Sequence, residues 1–557
     1  MSLRSEEHGV EDILLRCPPP LAPPPAPPPP PPPPPSLPPP PLPPPPSPAP
    51  SHHRQHHLTK FNVEIRQTDE IIVQDALNET GFGKFNFKVL AVSALICMNA
   101  AFGMLSIGFI LPAAACDFKM TTEDKGHLTV STMLGMLSGS YFWGCLADTK
   151  GRRISLLACL FLHGGSEFLA SLIPFYWGFV LVKFISGLAI CGQLTLLYTY
   201  LAEFQPIKKR DLFLSWMETA WVMGMVIVAC VAWATVPLDI KYKTDTFSFH
   251  SWNLFIMICS LPSFTIGIWL SFFPETPKYL AETGQNVKML KVLTRMYSEN
   301  TGNSLEKYLT NLKNCENQLL SELVFRLEEK MNEKEETIEP KSLKIIITNT
   351  FLQTLMLVRK PYLHRTFIEH FPNRSATVCT VVAFEKNNKT ITSTDPFGCN
   401  TPIQSSVFLY AFILALSGVP IGLTLPLLIN RLGYKFFLVV GTIIASIVSF
   451  CIFLVKTSVE NLVISCIFES VTSICVSVVS CMLIDFYPTH LRSIAAGLAS
   501  FFSRLGAMMG NLMTGMLIDY HCRVVIILVG LQLFVCGILC LLTPKKKEMK
   551  KAKITKF

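Results

Sequence analysis

Charge is what this chain has least of. Only 16% of its 557 residues are Asp, Glu, Lys or Arg, against about 25% in a typical soluble domain. Half of the residues are hydrophobic and the mean hydropathy is +0.40, so long stretches carry nothing that needs water. A GxxxxGK[ST] phosphate loop is absent, which leaves ATP-driven transport unsupported. No nucleophile–base constellation stands out, so neither an enzyme nor a cofactor is expected. The 18 cysteines make no CxxC pair and no His-spaced cluster. That spacing argues against a metal site and for free thiols within apolar runs. The net charge of +9 is modest and sits largely in loops and the C-terminal tail. Such placement fits the positive-inside effect and not a nucleic-acid partner. No apolar h-region precedes Val89, so the first membrane helix is expected to serve as its own signal and leave the N-terminal tail in the cytosol.

What the chain does have is a repeat. Asp148-Thr149-Lys150-Gly151-Arg152-Arg153 aligns with Asn430-Arg431-Leu432-Gly433-Tyr434-Lys435, and Glu203, Pro206 and Arg210 align with Asp485, Pro488 and Arg492. The offset is constant: 430 minus 148, 433 minus 151, 485 minus 203, 488 minus 206 and 492 minus 210 each give 282. Each copy lies between two long apolar runs. Parallel repeats related by an axis along the membrane normal are a transporter arrangement.

Residues 1–87 read as a disordered, Pro-rich cytosolic tail. From Pro18 to Pro50 the chain is mostly proline, which favours extended PPII backbone and offers no core. The tail is either a ligand for an SH3- or WW-type partner or low-complexity sequence without one. His52, His53, His56 and His57 follow it and are read as tail residues, not metal ligands.

Apolar runs near the 20 residues needed to cross a bilayer place a six-helix bundle over 88–273. Its helices are expected near Val89–Pro112, Leu128–Ala147, Ile154–Phe175, Gly178–Ala202, Phe213–Val236 and Asn253–Phe273. A Lys- and Glu-rich cytosolic linker with amphipathic helices follows over 274–366, including Leu305–Glu329 at helical spacing. Residues 367–403 read as a luminal or extracellular loop. It carries the sequons at Asn373 and Asn388, and Cys379 and Cys399, which can close a disulfide in an oxidising compartment. A second bundle over 404–543 has helices near Ser406–Ile429, Phe436–Val455, Leu462–Ile484, Ile494–Ile518 and Val524–Leu542. The basic tail 544–557 is expected in the cytosol with the N-terminus.

The count is six plus five. A crossing is required between the linker and the sequon loop, and Leu343–Val358 is short and interrupted by Lys344, Asn349, Thr350 and Gln353. Either Leu343–Arg365 supplies an irregular seventh helix or that helix is absent. Lys150, Arg152 and Arg153, then Lys208, Lys209 and Arg210, and in the second half Arg431, Lys435, Arg492 and the Lys-rich tail, all fall on one side. The bias puts both repeats at the cytosolic face.

These residues resemble a known family. Gly144-Cys145-Leu146-Ala147-Asp148-Thr149-Lys150-Gly151-Arg152-Arg153 fits the G-x-L-A-D-x-x-G-R-R loop of the major facilitator superfamily. Tyr200, Glu203, Pro206 and Arg210 resemble the sugar-porter pattern Y-x-x-E-x-x-P-x-x-x-R. Pro274-Glu275-Thr276-Pro277-Lys278-Tyr279-Leu280 resembles P-E-S-P-R-Y-L after the sixth helix. The cysteine- and sequon-bearing loop before the eighth helix is similar to that of the synaptic vesicle glycoprotein 2 family. The superfamily likeness covers about Val89–Leu542. It implies an all-α polytopic membrane protein of two pseudo-symmetric six-helix bundles. It also implies that the charged motifs latch the outward-open state and break as the halves rock. Within the first motif, Asp148 can face a helix N-terminus and Arg152 can pair with acids. Glu203 and Arg210 can form a second network with Asp485 and Arg492.

Ionisable groups well inside apolar runs are costly and usually pair or line a polar cavity. Here they are Glu167, Lys183, Glu218, Glu469 and Arg504. Glu218 and Arg504 lie on helices that flank the cavity in this superfamily, where each can bind a charged solute, carry a coupled proton, or form a structural pair. Lys183 sits where sugar porters often have Arg, which suggests interhelical pairing. Tyr141, Phe142, Trp143, Trp216, Trp221 and Trp233 read as interfacial anchors or as stacking surfaces for a ring-bearing solute, and His163 as a packed polar residue. The expected function is movement of a small organic solute by alternating access across a plasma or vesicle membrane. The alternatives are a transport-inactive scaffold or receptor, and an unproductive variant lacking helix seven.

Overall fold

A backbone that crosses lipid must bond its own N–H and C=O groups, and the apolar runs do this as α-helix throughout. The computed structural model describes residues 72–238, 240–244, 248–314, 405–455, 457–486 and 489–541. Leu343–Arg365, Asn373, Cys379, Asn388, Cys399, the Pro-rich segment and the basic tail lie outside them.

In the first half, α1 covers residues 72–79. The six long helices are α2 (Lys84–Asp117), α3 (Thr122–Lys150), α4 (Arg152–Ala170), α5 (Tyr176–Glu203), α6 (Ile207–Thr235) and α7 (Ser251–Leu270). Their centres match the expected crossings, and each is extended at one or both ends by polar residues. The tail expectation is corrected at its end: residues 72–79 are helical and α2 begins at Lys84. Ile72, Val73, Ala76 and Leu77 are buried, an apolar face at helical spacing that the charged surroundings obscure. A two-stranded hairpin, β1 (Lys241–Lys243) and β2 (Ser248–His250), joins α6 to α7 in antiparallel register, with Tyr242 opposite Phe249.

The start of the linker is helical: α8 (Pro277–Glu282), α9 (Asn286–Thr301) and α10 (Leu305–Lys313). The described part of Leu305–Glu329 ends at 314. These helices cap the end of the first bundle, clamped to α1 and α2. Tyr308 donates its hydroxyl to the Ala76 carbonyl at 2.8 Å. Asn300 accepts from the Phe85 N–H at 3.0 Å and donates to Asn86 Oδ1 at 2.9 Å.

The second half holds α11 (Ser405–Ser417), α12 (Val419–Leu432), α13 (Tyr434–Cys451), α14 (Ser458–Phe486) and α15 (Thr489–Leu541). The expected crossing Ser406–Ile429 is interrupted at Gly418 between α11 and α12, with Pro420 in the first turn of α12. The two crossings expected over Ile494–Ile518 and Val524–Leu542 are corrected: both belong to one uninterrupted 53-residue helix. No proline or glycine stands between residues 516 and 529 to break it. Among the described residues eight helical spans are long and apolar enough to cross a membrane, with Val407–Ile429 counted as one across the Gly418 turn.

Small residues bring the helices together. At Gly135 of α3 an added Cβ would lie 2.0 Å from the Phe184 carbonyl of α5, so only glycine permits that approach. Between the halves, α6 packs on α11, α12 and α14, while α15 packs on α3 and α5. Thr219 of α6 donates to the Gly422 carbonyl of α12 at 2.7 Å.

Candidate functional site: a charged cluster and a buried polar centre

The first site grows from one turn. Gly151 ends α3 and begins α4 with φ 101° and ψ 157°, a region open to essentially glycine alone. An added Cβ would also lie 2.3 Å from a Glu275 carboxylate oxygen. With glycine there, Glu275 reaches the start of α4, where its two oxygens accept the Arg153 N–H at 3.0 and 3.1 Å. It is thus Glu275 whose carboxylate caps this helix N-terminus, a place where unsatisfied N–H groups and the helix dipole favour negative charge. The sequence pointed to Asp148 for such a role.

Arg152 leaves the same turn and is buried. Its Nε lies 3.4 Å from Glu203, and its Nη2 lies 3.5 Å from both Asp148 and Glu282. Its guanidinium stands 5.3 Å from the Tyr279 ring centroid, in cation–π range. Tyr279 donates its hydroxyl to the Thr149 carbonyl at 2.9 Å, and Tyr200 donates to the Pro274 carbonyl at 3.2 Å. The arginine therefore ties α3, α4 and α5 to α8. Burial raises the Glu275 carboxyl above the usual carboxylate range; the Arg153 and Thr276 N–H groups and Arg152 pull it back in part.

The second network expected of Glu203 and Arg210 turns on Asp485 and Arg492, whose side chains lie outside the described residues. Glu203 joins Arg152, while Arg210 donates to the Ala202 carbonyl and to Gln74 of α1, both at 3.1 Å. Pro206 caps α6, and Gly144 is buried on α3. In the second half Gly433 takes φ 79° and ψ 158° between α12 and α13. The side chains of Asn430, Asp485, Pro488 and Arg492 lie outside the described residues.

Deeper in the first bundle, Lys183 of α5 and Glu167 of α4 form an ion pair at 2.8 Å, with side chains 1% and 2% exposed. Ser186 also donates to Glu167. Beside them Asn99 of α2 donates to Gln193 of α5 at 2.9 Å, and Ser263 of α7 donates to Asn99 at 2.9 Å. His163 of α4 sits 3.2 Å from both Asn99 and Ser263, as a packed polar residue. Asn99, Ser186, Gln193 and Ser263 were missed as candidates. They are uncharged, and the available signal was an amide or hydroxyl inside an otherwise apolar run.

Glu218, Glu469 and Arg504 lie where the halves meet. Glu218 of α6 is 5% exposed and accepts a hydrogen bond from Ser473 of α14. Glu469 stands one helical turn before Ser473. Arg504 of α15 is 5% exposed, with Nη1 3.8 Å from Met104 Sδ of α2. Among the described residues no ion pair joins Glu218 to Arg504. Trp143 is buried and donates to the Leu188 carbonyl at 2.8 Å, whereas Tyr141, Phe142 and Trp233 are exposed on the helix surface. No group of three or more metal-ligating side chains occurs among the described residues.

Comparison with known proteins adds an independent line. Residues 87–356 match the family described as Sugar (and other) transporter, and residues 389–556 match the Major Facilitator Superfamily. Synaptic vesicle glycoprotein 2C of Rattus norvegicus is 33% identical over 239 residues, 42% of this chain and 32% of the relative. Synaptic vesicle glycoprotein 2A of Homo sapiens is 34% identical over 227 residues, 40% of this chain and 30% of the relative. The matched stretch spans only about a third of these relatives. Among solved structures, the major facilitator superfamily proton:xylose symporter XylE bound to 6-bromo-6-deoxy-D-glucose superposes with a TM-score of 0.61 at 15% identity. That match covers 82% of this chain and 94% of the symporter. The partially occluded inward open conformation of the xylose transporter XylE from E. coli superposes with a TM-score of 0.55 at 14% identity, over 82% and 97%. At such identities the likeness is one of fold.

Proposed function

We propose that this chain, a multi-span membrane protein of the major facilitator superfamily resembling the synaptic vesicle glycoprotein 2 family, is a secondary-active-type transporter. It moves a small organic solute by alternating access, with the two bundles rocking about a site between them. The observation that carries the reading is the buried Arg152 cluster. One guanidinium held among Asp148, Glu203 and Glu282, with Glu275 at the adjoining helix start, ties three membrane helices to the linker. Such a cluster is costly to bury and strong only while its geometry is complete, which suits a latch that holds in one state and releases in the other.

The lysine and arginine bias places this latch and both termini in the cytosol. Cys116, at the opposite end of α2 from the latch, is disulfide-bonded, and an oxidising compartment on that side fits the bias. Asn373 and Asn388 are glycosylated in this arrangement, in a plasma or vesicle membrane. Glu218, Glu469 and Arg504 line the region between the bundles, while Lys183 and Glu167 brace the first bundle from within.

The test is uptake into proteoliposomes holding the purified chain, starting with D-xylose, the solute in the names of the structural neighbours, and extending to organic anions and cations. Saturable uptake of one of them, altered by Arg152→Ala, supports the proposal. A folded, monodisperse chain that takes up none of them would overturn it in favour of a scaffold. A glycosidase mobility shift, lost in Asn373→Gln and Asn388→Gln, checks the orientation separately.

A further inference from the structure

The outer face of α9 is basic, and it meets the start of α2. Along α9 the apolar residues Met289, Leu290, Val292, Leu293, Met296 and Tyr297 are buried, and the helix packs on α2, α8 and α10. Lys288, Lys291 and Arg295 fall at i, i+3 and i+7 on the exposed face. On α2, Lys84 and Lys88 are exposed one turn apart. Neither helix has an acid in its first turn, where the dipole would favour one. Over residues 84–88 and 286–301 the sequence holds five cations, these three and these two, against one acid, Glu299.

That one acid draws cations from both helices together. Lys88 Nζ donates to one Glu299 oxygen at 2.8 Å, and Arg295 Nε donates to the other at 3.0 Å. Arg295 also donates through Nη1 to the Phe272 carbonyl, just past α7, at 3.4 Å. The side chains of Lys88 and Arg295 are still 57% and 51% exposed, so both charges reach the surface. Trp269 and Phe272 stand one turn apart at this end of α7, and both are exposed, Phe272 by 69%. Exposed aromatics at the end of a membrane helix mark the level of the lipid headgroups. The basic patch therefore lies at headgroup level, on the side where the lysine and arginine bias puts the cytosol.

A guanidinium fork with ammonium groups beside it matches a phosphate in geometry and in charge. Basic residues clustered at the end of a membrane helix and along an amphipathic helix are drawn to anionic lipid. We propose that the start of α2 and the outer face of α9 bind an anionic phospholipid through its phosphorylated headgroup. Lys88 and Arg295 turn from Glu299 to the headgroup phosphates, Lys84, Lys288 and Lys291 surround them, and the acyl chains lie along Trp269 and Phe272. In this arrangement Glu299 holds the two cations in place and competes with the lipid for them. The bound lipid fastens α9, and with it the start of the linker, to α2 and α7. The site requires neither transport nor a solute, so it stands or falls apart from the transporter reading.

The test is native mass spectrometry of the full chain in detergent. It is titrated with a phosphatidylinositol bisphosphate, with phosphatidylcholine of the same acyl chains, and with soluble inositol trisphosphate. The expected result is that the anionic lipid binds severalfold tighter than either of the others, and that added salt weakens it. Lys88→Gln and Arg295→Gln should each weaken it about fivefold, while Arg431→Gln, on the second half, should leave it unchanged. Glu299→Gln should instead strengthen it severalfold, a gain that a misfolded variant does not produce. No binding, or equal affinity for phosphatidylcholine, overturns the proposal in the unmodified chain alone. A Glu299→Gln variant that binds no better than the unmodified chain also overturns it, as does binding indifferent to Lys88→Gln and Arg295→Gln. A loss in Arg431→Gln as large as in Arg295→Gln overturns it in favour of a diffuse positive face. Inositol trisphosphate bound as tightly as the lipid overturns it in favour of a soluble phosphate compound.

Discussion

The turn at Gly151 and the turn at Gly433 have the same backbone and different surroundings. Both glycines end one helix and begin the next, at φ 101° and ψ 157° in the first half and φ 79° and ψ 158° in the second. Both are followed by a basic residue that reaches toward the end of the last helix of its own half. Arg153 donates to the Ser271 carbonyl just past α7, and Lys435 donates to the Leu541 carbonyl that ends α15, at 2.6 Å. A cation at a helix C-terminus meets unpaired carbonyls and the negative end of the dipole. The neighbourhoods then part. At Gly151 the space a Cβ would take belongs to Glu275, whereas at Gly433 nothing lies within 4 Å. The residue after the glycine is the buried Arg152 in one half and Tyr434 in the other. The repeat preserves the turn, and the first half alone builds a buried ion cluster on it among the described residues.

The largest break in that comparison is expected from Arg152→Ala. Its loss leaves Glu203, with a side chain 3% exposed, beside Asp148 and Glu282 without the guanidinium that all three share. Removing one partner of a buried ion pair costs about 3–5 kcal/mol. Thermal unfolding in detergent should show it as a marked drop in Tm, partly recovered when Glu203→Gln is added, because the orphaned charge goes too. A drop no larger than that of the exposed Arg431→Ala would mean that the cluster carries no stability.

A smaller effect is expected from the glycines. Alanine at either position meets the same backbone cost, about 1–3 kcal/mol. At 151 it must also displace Glu275 from the start of α4, so Gly151→Ala should exceed Gly433→Ala. Equal losses in Tm would show that the Glu275 cap adds nothing to the turn. Smaller still, Arg153→Ala and Lys435→Ala should each cost about 0.3–1 kcal/mol, the range for a cation at a helix end. Their similarity would confirm the shared half of the comparison, and a large asymmetry would refute it.

The same contrast explains what the sequence could and could not disclose. Crossings, the 282-residue offset and the two glycine turns follow from apolar run length and from residues that force a backbone shape, and these are local properties. Partners are not local. Glu203 and Arg152 are 51 positions apart in the chain, and only the packing of α4 on α5 brings them within 3.4 Å. Glu282 belonged to no motif and was missed. The pairing suggested for Lys183 needed the structure to supply Glu167 as its partner. The fusion of the last two expected crossings into α15 was illegible for another reason. Asp519-Tyr520-His521-Cys522-Arg523 reads as a polar turn between apolar runs, yet it contains no residue that stops a helix.

The finest test concerns how Glu275 responds to pH. Burial holds its carboxyl above the usual range, and the Arg153 and Thr276 N–H groups and Arg152 offset only part of that shift. The folded chain therefore binds this proton more tightly than the unfolded chain does. Stability from this group is fully present below the unfolded carboxylate value and is lost as pH rises through the higher folded value. The unmodified protein should accordingly lose a small part of its Tm between mildly acidic and neutral pH. Glu275→Gln keeps a side-chain oxygen to accept the Arg153 N–H but cannot ionise, so its Tm should fall less across the same interval. Gly433→Ala serves as the control from the other repeat, because no carboxylate lies against that glycine among the described residues, and its profile should parallel that of the unmodified protein. A Glu275→Gln profile as steep as the unmodified one would assign the pH response to some other group. A profile of opposite slope would mean that the N–H donors and Arg152 outweigh burial, and that Glu275 is held ionised as a permanent cap of α4.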